Sequence, residues 1–235
     1  MSFEKLLRDP VEALLFDLDG TLLASAPDLA IAIDRMLAEL HLPLAGIERV
    51  SQWVGDGARQ LVIEALQFAI TSDDHLSIND ASVNGVLVDK ALQIYQRHYG
   101  ECLNHSSHLF PGVREALQYC YERGIRMACV TNKGARFTEP LIDHFDLREW
   151  LPVVVSGDIL PQRKPDPAPL LEACRQLDVA PARAIMVGDS RNDVRAARAA
   201  GMPVICVRHG YNHGRPIEAE KPDLIIDSFL DLIAV

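Results

Sequence analysis

The amino-acid sequence predicts an α/β fold with a doubly wound, mainly parallel sheet and an inserted α-helical cap domain. The first observation is the apolar run Ala13–Phe16, which has no polar interruption and is typical of a parallel strand buried on both faces. The second is an alternation of strand and helix patterns from about residue 107 onward. The third is the intervening stretch, residues 24–106, which has helical periodicity and no clear strand.

The stretch after the first strand is predicted to form four helices. The first begins at Ser25 or Ala26, with Pro27 and Asp28 in its first turn. The glycines of Gly55-Asp56-Gly57 interrupt the helical pattern between the second and third helices. The predicted helices cover residues 27–41, 47–54, 58–70 and 81–101.

The alternating stretch predicts the remaining strands of a Rossmann-like sheet with right-handed crossovers. Its strands are predicted at residues 126–130, 152–156, 184–187, 204–207 and 224–226, and its helices at 111–122, 134–145, 167–177 and 190–200. We therefore expect residues 1–23 and 107–235 to form an α/β core, and residues 24–106 to form a helical cap that can act as a lid.

Composition and charge argue against some classes of binding partner and indicate where the protein is located. The formal net charge of −10 argues against a nucleic-acid-binding surface. No apolar run is long enough to span a bilayer, and the acids near the N-terminus do not fit a signal peptide. The five cysteines form no Cys-x-x-Cys pair and are odd in number, which favours reduced thiols. We expect a cytoplasmic protein, monomer or homodimer, that acts on a small molecule without nucleic acid or membrane.

Two carboxylates, Asp17 and Asp19, follow the first strand one residue apart, and Gly20 then breaks the strand. Open α/β sheets bind ligands at the carboxyl ends of their strands. If both carboxylates approach one point, their repulsion requires a cation, and oxygen ligands favour Mg²⁺. The alternative is that both are ordinary loop acids.

Three further polar segments follow in order, and together they make the alternative of loop acids a poor one. Thr131-Asn132-Lys133 comes directly after a predicted strand and before a helix, where donors bind anions. Lys164 lies in a turn stiffened by prolines, and Asp189 follows another strand. Each also has a structural interpretation: Thr131 ends a strand, Lys164 is a surface charge, and Asp193 has capping-box spacing from Ser190.

The set predicts a phosphoryl-transfer site. Asp17 is the expected nucleophile, and Asp19 the residue that gives a proton to the leaving alcohol and later takes one from water. Lys164, Thr131 and the amides near Asn132 offset the charge of the transferring group. Mg²⁺ is expected on Asp17 and Asp189, with the carbonyl of Asp19 as a further ligand, and Asp193 either contacts the metal or supports its ligands.

The ordered motifs resemble those of the haloacid-dehalogenase-like superfamily, in its Mg²⁺-dependent phosphatase branch. This resemblance covers nearly the whole chain and implies a helical cap inserted after the first motif. Within the family, the chain is similar to members that hydrolyse 2-phosphoglycolate to glycolate and phosphate. The segments that carry this similarity are residues 25–29, 53–58, 130–133, 188–193 and 210–217. The chain departs from the family pattern at three positions. Ala24 replaces the usual acid, Asp56 replaces the usual asparagine, and Glu64 stands where the family often has an arginine.

The cap is expected to recognise the leaving group, which is the part of the substrate attached to the phosphate, because the core recognises only the phosphate itself. Gly57 and Arg59 lie at the start of the third predicted helix, whose free amides suit a substrate carboxylate. The alternative is that the glycines only make a turn and Arg59 is solvated. Other readings of the whole chain are a phosphatase for a sugar phosphate such as N-acetylmuramic acid 6-phosphate, a hexose-phosphate mutase, a dehalogenase, a phosphonatase and a non-catalytic binding module.

Overall fold

A computed structural model describes residues 11–72 and 83–233. Six parallel strands form a sheet: β1 Ala13–Phe16, β4 Arg126–Val130, β5 Val153–Val155, β6 Ala184–Gly188, β7 Val204–Val207 and β8 Leu224–Ile226. Their order across the sheet is β5-β4-β1-β6-β7-β8. The predicted doubly wound α/β fold is therefore confirmed.

Strand β1 lies at the point where the strand order reverses. Phe16, its last residue, is paired with Cys129 of β4 on one side and with Val187 of β6 on the other. The chain first crosses to β4 and β5 and then returns past β1 to β6, so a crevice opens where β1, β4 and β6 end. Ligands of open α/β sheets bind at such a crevice.

The sheet is covered on both faces. Successive side chains of a strand point to opposite faces, so Leu14 and Phe16 join one hydrophobic cluster, while Ala13 and Leu15 join another. All four are fully buried, which explains why β1 is apolar throughout. The helices that flank the sheet are α5 Val113–Glu122, α6 Ala135–His144, α7 Ala168–Leu177 and α8 Arg191–Ala200.

Four helices between β1 and β4 surround a hydrophobic cluster of their own. This cluster includes Ile33, Leu66 and Tyr95, and Phe137 of α6 packs into it from the core. The helices are α1 Ala26–Glu39, α2 Ile47–Trp53, α3 Ala58–Ser72 and α4 Gly85–Cys102. Helix α3 runs to Ser72, two residues beyond its predicted end at residue 70. Helix α4 begins at Gly85, and the prediction of its start at residue 81 is wrong, because Asn84 is its N-cap and accepts a hydrogen bond from the Leu87 N–H.

A short antiparallel ribbon joins the helical insert to the rest of the chain. Its strands, β2 Leu23–Ala24 and β3 His108–Leu109, pair where the chain leaves the sheet and where it returns. The ribbon agrees with the predicted boundaries near residues 24 and 106, although the division into two domains stays a prediction.

All five cysteines are buried and free of disulfides. None of the described helices combines the length and apolar character needed to cross a bilayer.

Candidate active site

Asp17 lies at the end of β1, in the crevice. Its Oδ1 accepts a hydrogen bond from the Leu18 N–H at 2.7 Å and lies 3.0 Å from the ammonium of Lys164. The side chain is 11% exposed. Burial raises the pKa of Asp17 to about 6, against the opposing effect of Lys164.

Lys164 is a buried member of this site, with a side chain only 1% exposed, so it is not a surface charge. Its Nζ donates to Asp193 Oδ1 and to the Val130 carbonyl, both at 2.7 Å, in addition to its contact with Asp17. Burial by itself would lower the pKa of Lys164, but Asp17 and Asp193 hold that pKa above its ordinary value. The ammonium therefore stays charged and fixed between two acids.

Asp189 follows β6 as Asp17 follows β1. It accepts hydrogen bonds from the Thr21 hydroxyl at 2.8 Å and from the Tyr211 N–H at 2.7 Å. Burial, and then the charges of Asp193 and Asp17, raise the pKa of Asp189 well above its ordinary value. Gly20 packs so closely that an added Cβ would lie 2.4 Å from an Asp189 oxygen, which explains the glycine there.

Asp193 caps a helix and also pairs with Lys164, while its contact with a metal stays a prediction. Its Oδ2 accepts hydrogen bonds from the Ser190 N–H and hydroxyl in a capping box at the start of α8. Its Oδ1 pairs with Lys164 and so faces the site. The capping geometry thus orients the carboxylate that holds the lysine.

The acidic cluster fits a divalent cation. Asp17, Asp189 and Asp193 each present an oxygen within 4.8 Å of the others. Among the described residues Lys164 is the cation paired with Asp17 and Asp193, and Asp189 has no ion pair. Three buried carboxylates with one ammonium leave negative charge uncompensated, and a set of oxygen donors favours a hard ion such as Mg²⁺.

Asp19 points to a different partner from Asp17. Both of its oxygens accept hydrogen bonds from Lys133 Nζ, at 2.8 and 2.9 Å. Lys133 also lies 4.9 Å from the centre of the Tyr99 ring and is 6% exposed. The local sequence gives no sign of a role for this lysine side chain, because its acidic partner lies 114 residues away in the chain.

Thr131 and Asn132 directly follow the neighbouring strand β4. Thr131 is buried in the cleft wall, and its hydroxyl accepts a hydrogen bond from the Lys133 N–H at 3.2 Å. The Asn132 amide donates to the carbonyls of Gly55 and Lys164, each at 2.9 Å. The Asn132 side chain therefore ties the insert to the core, and its binding of substrate stays a prediction.

Gly57 and Arg59 differ in position. Gly57 lines the cleft with φ +86°, a conformation that favours glycine, and an added Cβ would lie 3.2 Å from the Asn132 carbonyl. Arg59 is 48% exposed and pairs with Asp89 on α4 at 2.6 Å. It is not among the described residues that line the cleft. The structure thus brings Gly57 to the site but not Arg59, whose contact with substrate stays a prediction.

The cleft lies between the core and the helical insert. The core supplies polar groups from the ends of β1 and β4, whereas the insert supplies a mostly apolar wall. The residues of that wall are Leu29, Val54, Gly55, Gly57, Ala58, Leu61, Tyr95 and Tyr99. Such a cleft suits a small polar molecule whose reactive end meets the charged groups of the core.

A parallel sheet with acids at its switch point, a buried lysine and a helical insert is the arrangement of a hydrolase with a Rossmann-like core. The family model of the haloacid dehalogenase-like hydrolases matches residues 14–207, and the chain belongs to this family. The resemblance noted in the sequence motifs is confirmed, and so is the prediction that the chain is a hydrolase.

Several similar proteins have names that specify a reaction. The phosphoglycolate phosphatase of Pseudomonas putida is 45% identical over 232 residues, which cover 98% of this chain and 82% of that protein. The phosphoglycolate phosphatase of Thiobacillus denitrificans is 44% identical, covering 94% of each chain. A crystal structure from Haemophilus somnus, described as a predicted phosphoglycolate phosphatase, has a TM-score of 0.88 at 34% identity, covering 96% of this chain and 98% of that one. CbbY from Rhodobacter sphaeroides, in complex with phosphate, has a TM-score of 0.76 at 25% identity, covering 94% and 96%.

Proposed function

We propose that the chain is a Mg²⁺-dependent phosphatase that hydrolyses 2-phosphoglycolate to glycolate and phosphate through an aspartyl-phosphate intermediate. The observation that carries the proposal is the buried Asp17 carboxylate at the sheet switch point, paired with Lys164 beside Asp189 and Asp193. The names of the relatives that are 44–45% identical support the substrate. The five buried free thiols agree with the cytoplasmic location expected from the sequence.

The first step is an attack by Asp17 on phosphorus. Asp17 Oδ1 contacts Leu18 and Lys164, so Oδ2 is the oxygen expected to bond to phosphorus as the phosphorus–glycolate bond breaks. Asp19 gives its proton to the departing glycolate oxygen. Lys164 and the Thr131 hydroxyl offset the negative charge of the group in transfer.

The second step regenerates the enzyme. Asp19 takes a proton from a water molecule as the water oxygen attacks phosphorus and the bond to Asp17 breaks. Phosphate leaves, and Asp17 is again a carboxylate. The uncompensated charge of the acidic cluster supports Mg²⁺ on Asp17 and Asp189, where the ion would reduce the repulsion between carboxylate and phosphate.

Replacing Asp17 by Asn tests the nucleophile. We expect the Asp17→Asn variant, checked for deamidation by mass spectrometry, to lose about 10⁴-fold or more of kcat with phosphoglycolate and Mg²⁺. The isosteric amide keeps the fold but is too weak a nucleophile to attack phosphorus. A variant that hydrolyses substrate as fast as the parent would reject the mechanism.

A substrate panel tests the leaving group. The parent protein is assayed with 2-phosphoglycolate, N-acetylmuramic acid 6-phosphate and hexose phosphates, with and without EDTA. We expect the highest kcat/KM for 2-phosphoglycolate and no turnover in EDTA. A higher kcat/KM for a sugar phosphate would replace the proposed substrate but leave the phosphoryl chemistry in place.

A further inference from the structure

Lys133 is the one positively charged side chain among the described residues that line the cleft. Its ammonium has three N–H donors, of which the two oxygens of Asp19 take two, at 2.8 and 2.9 Å. One donor therefore remains for another acceptor. Lys164, the other lysine of the site, already contacts Asp17, Asp193 and the Val130 carbonyl.

Tyr99 lies opposite this ammonium on α4 of the insert. The tyrosine is 1% exposed, and its hydroxyl has no hydrogen-bond partner among the described residues. A buried hydroxyl without a partner is costly, so a ligand acceptor that reached the Tyr99 hydroxyl would gain a hydrogen bond that the protein itself does not supply. The ring is held in place by Tyr95, stacked at 5.6 Å, and by Phe137, whose ring edge is 4.8 Å away.

The surroundings of this pair favour an anion. Helix α6 begins at Ala135, two residues after Lys133, and its first N–H already donates to Asp158 Oδ1 at 2.9 Å, so only part of the positive end of the helix dipole faces the cleft. Gly134, which precedes that helix, also lines the cleft, together with Leu29 and Leu61 from the insert. Apolar neighbours exclude water and strengthen the attraction between an ammonium and a carboxylate.

We propose that Lys133 and Tyr99 form the subsite that binds the carboxylate of the leaving group, and that they determine the preference for a small phosphorylated acid. This proposal rests on the proposed function, since it identifies the residues that bind the glycolate end of the substrate, which the phosphoryl site does not recognise. Lys133 belongs to the core and Tyr99 to the helical insert, so the subsite is complete only when the two are packed together. The simpler alternative is that Lys133 only neutralises Asp19.

The test compares 2-phosphoglycolate with its neutral amide, 2-phosphoglycolamide, which has nearly the same shape. The measured quantity is the ratio of kcat/KM for the acid to that for the amide. We expect a ratio of at least about tenfold in the parent and a ratio near one in Lys133→Gln. Tyr99→Phe should lower the ratio several-fold, mainly through KM for the acid, and Lys133→Arg should keep part of the preference.

Matched controls separate the subsite from general effects of substitution. Lys90→Gln and Tyr121→Phe alter exposed residues outside the cleft, and they should leave the ratio unchanged. Circular dichroism and thermal melting show whether each variant is folded. Because Tyr99→Phe removes only a hydroxyl, it tests the subsite even if Lys133→Gln does not fold.

Two results would overturn the proposal, and they are distinguishable. If Lys133→Gln and Tyr99→Phe slow both substrates by the same factor, the pair does not read the carboxylate, and the lysine only positions Asp19. If the parent protein prefers a sugar phosphate to 2-phosphoglycolate in the panel above, the proposed substrate itself is rejected, and this subsite with it.

Discussion

The charge balance of the site depends on one residue, Lys164. Its ammonium contacts two buried carboxylates, Asp17 at 3.0 Å and Asp193 at 2.7 Å. Removing one member of a buried ion pair leaves an uncompensated charge, which costs about 3–5 kcal/mol. The cis peptide bond between Lys164 and Pro165 belongs to the proline-rich turn that carries this side chain to the site.

Lys164→Met should therefore impair both stability and catalysis. We expect the free energy of unfolding, measured with urea at pH 7 in EDTA, to fall by about 3–5 kcal/mol. We also expect kcat to fall by more than about a hundredfold, because no cation then faces the transferring phosphoryl group from this side. Lys90→Met, at an exposed position, is the control and should change stability by less than about 0.5 kcal/mol. A loss below about 1 kcal/mol in Lys164→Met would mean that protons already neutralise the two carboxylates.

At the scale of elements, the turn between α2 and α3 connects the helical insert to the core. Asp56 in this turn accepts hydrogen bonds from Asn192 at 2.7 Å and from Arg191 at 3.2 Å. The Gly55 carbonyl accepts another from Asn132. These contacts hold the wall of the cleft over the ends of the strands.

Asp56→Ala should weaken this connection. The lost bonds are partly exposed, so we expect kcat/KM for 2-phosphoglycolate to fall about two- to tenfold while the stability of the core changes little. Asp56→Asn keeps an acceptor for Asn192 and should retain most of the activity. Asp89→Ala is the matched control, because it removes the same charge from the exposed face of the insert. If the Asp89 and Asp56 variants lose activity equally, the effect is one of net charge and not of the connection.

The strand ends and their motifs were predictable from the sequence because each depends on local pattern. An apolar run followed by an acid marks β1 with Asp17 and β6 with Asp189, and the capping spacing marks the start of α8. Ribbon β2–β3 was not predicted, since strands of two residues have no measurable periodicity. The partnership of Lys133 with Asp19 and the position of Tyr99 were also missed, because both contacts join residues far apart in the sequence.

Local sequence patterns also predict the helices of the insert better than they predict how those helices pack. Helical spacing predicted its four helices, but no local pattern states which face of α3 turns toward the cleft. Arg59 lies in the first turn of α3, as predicted, yet its partner is Asp89 on α4. The residues that line the cleft from α4, Tyr95 and Tyr99, have the spacing of ordinary core residues. Tertiary packing alone distinguishes a core tyrosine from one that faces a ligand.

At the scale of the whole molecule, the fold concentrates negative charge in a chain whose formal net charge is already −10. The parallel sheet brings Asp17 and Asp189 together from strands that are far apart in the sequence. Such a potential attracts a divalent cation but repels an anionic substrate. The two lysines of the site, Lys133 and Lys164, therefore supply the local positive charge that offsets this repulsion of a phosphorylated anion.

This arrangement predicts that Mg²⁺ stabilises the protein to an extent that depends on pH. Burial raises the pKa of Asp17 from its ordinary value of 3.8 to about 6, and it also raises the pKa of Asp189. In the metal-free protein, a raised carboxyl pKa favours folding below pH 3.8, and this contribution is lost as the pH rises through about 6. Protons and Mg²⁺ compete for the same oxygens, so the cation should bind weakly at pH 5 and fully by about pH 7.

Melting curves in EDTA and in Mg²⁺, recorded from pH 5 to pH 8, measure this competition. We expect the Mg²⁺-induced rise in Tm to be small at pH 5 and to reach a plateau near pH 7, where a concentration of about 100 Kd adds about 2.7 kcal/mol. Asp189→Asn removes a ligand and a titrating group together, so its rise in Tm should be smaller at every pH. An equal rise at pH 5 and pH 8 in the parent would place the bound cation away from the buried carboxylates, since exposed acids are already ionised at pH 5.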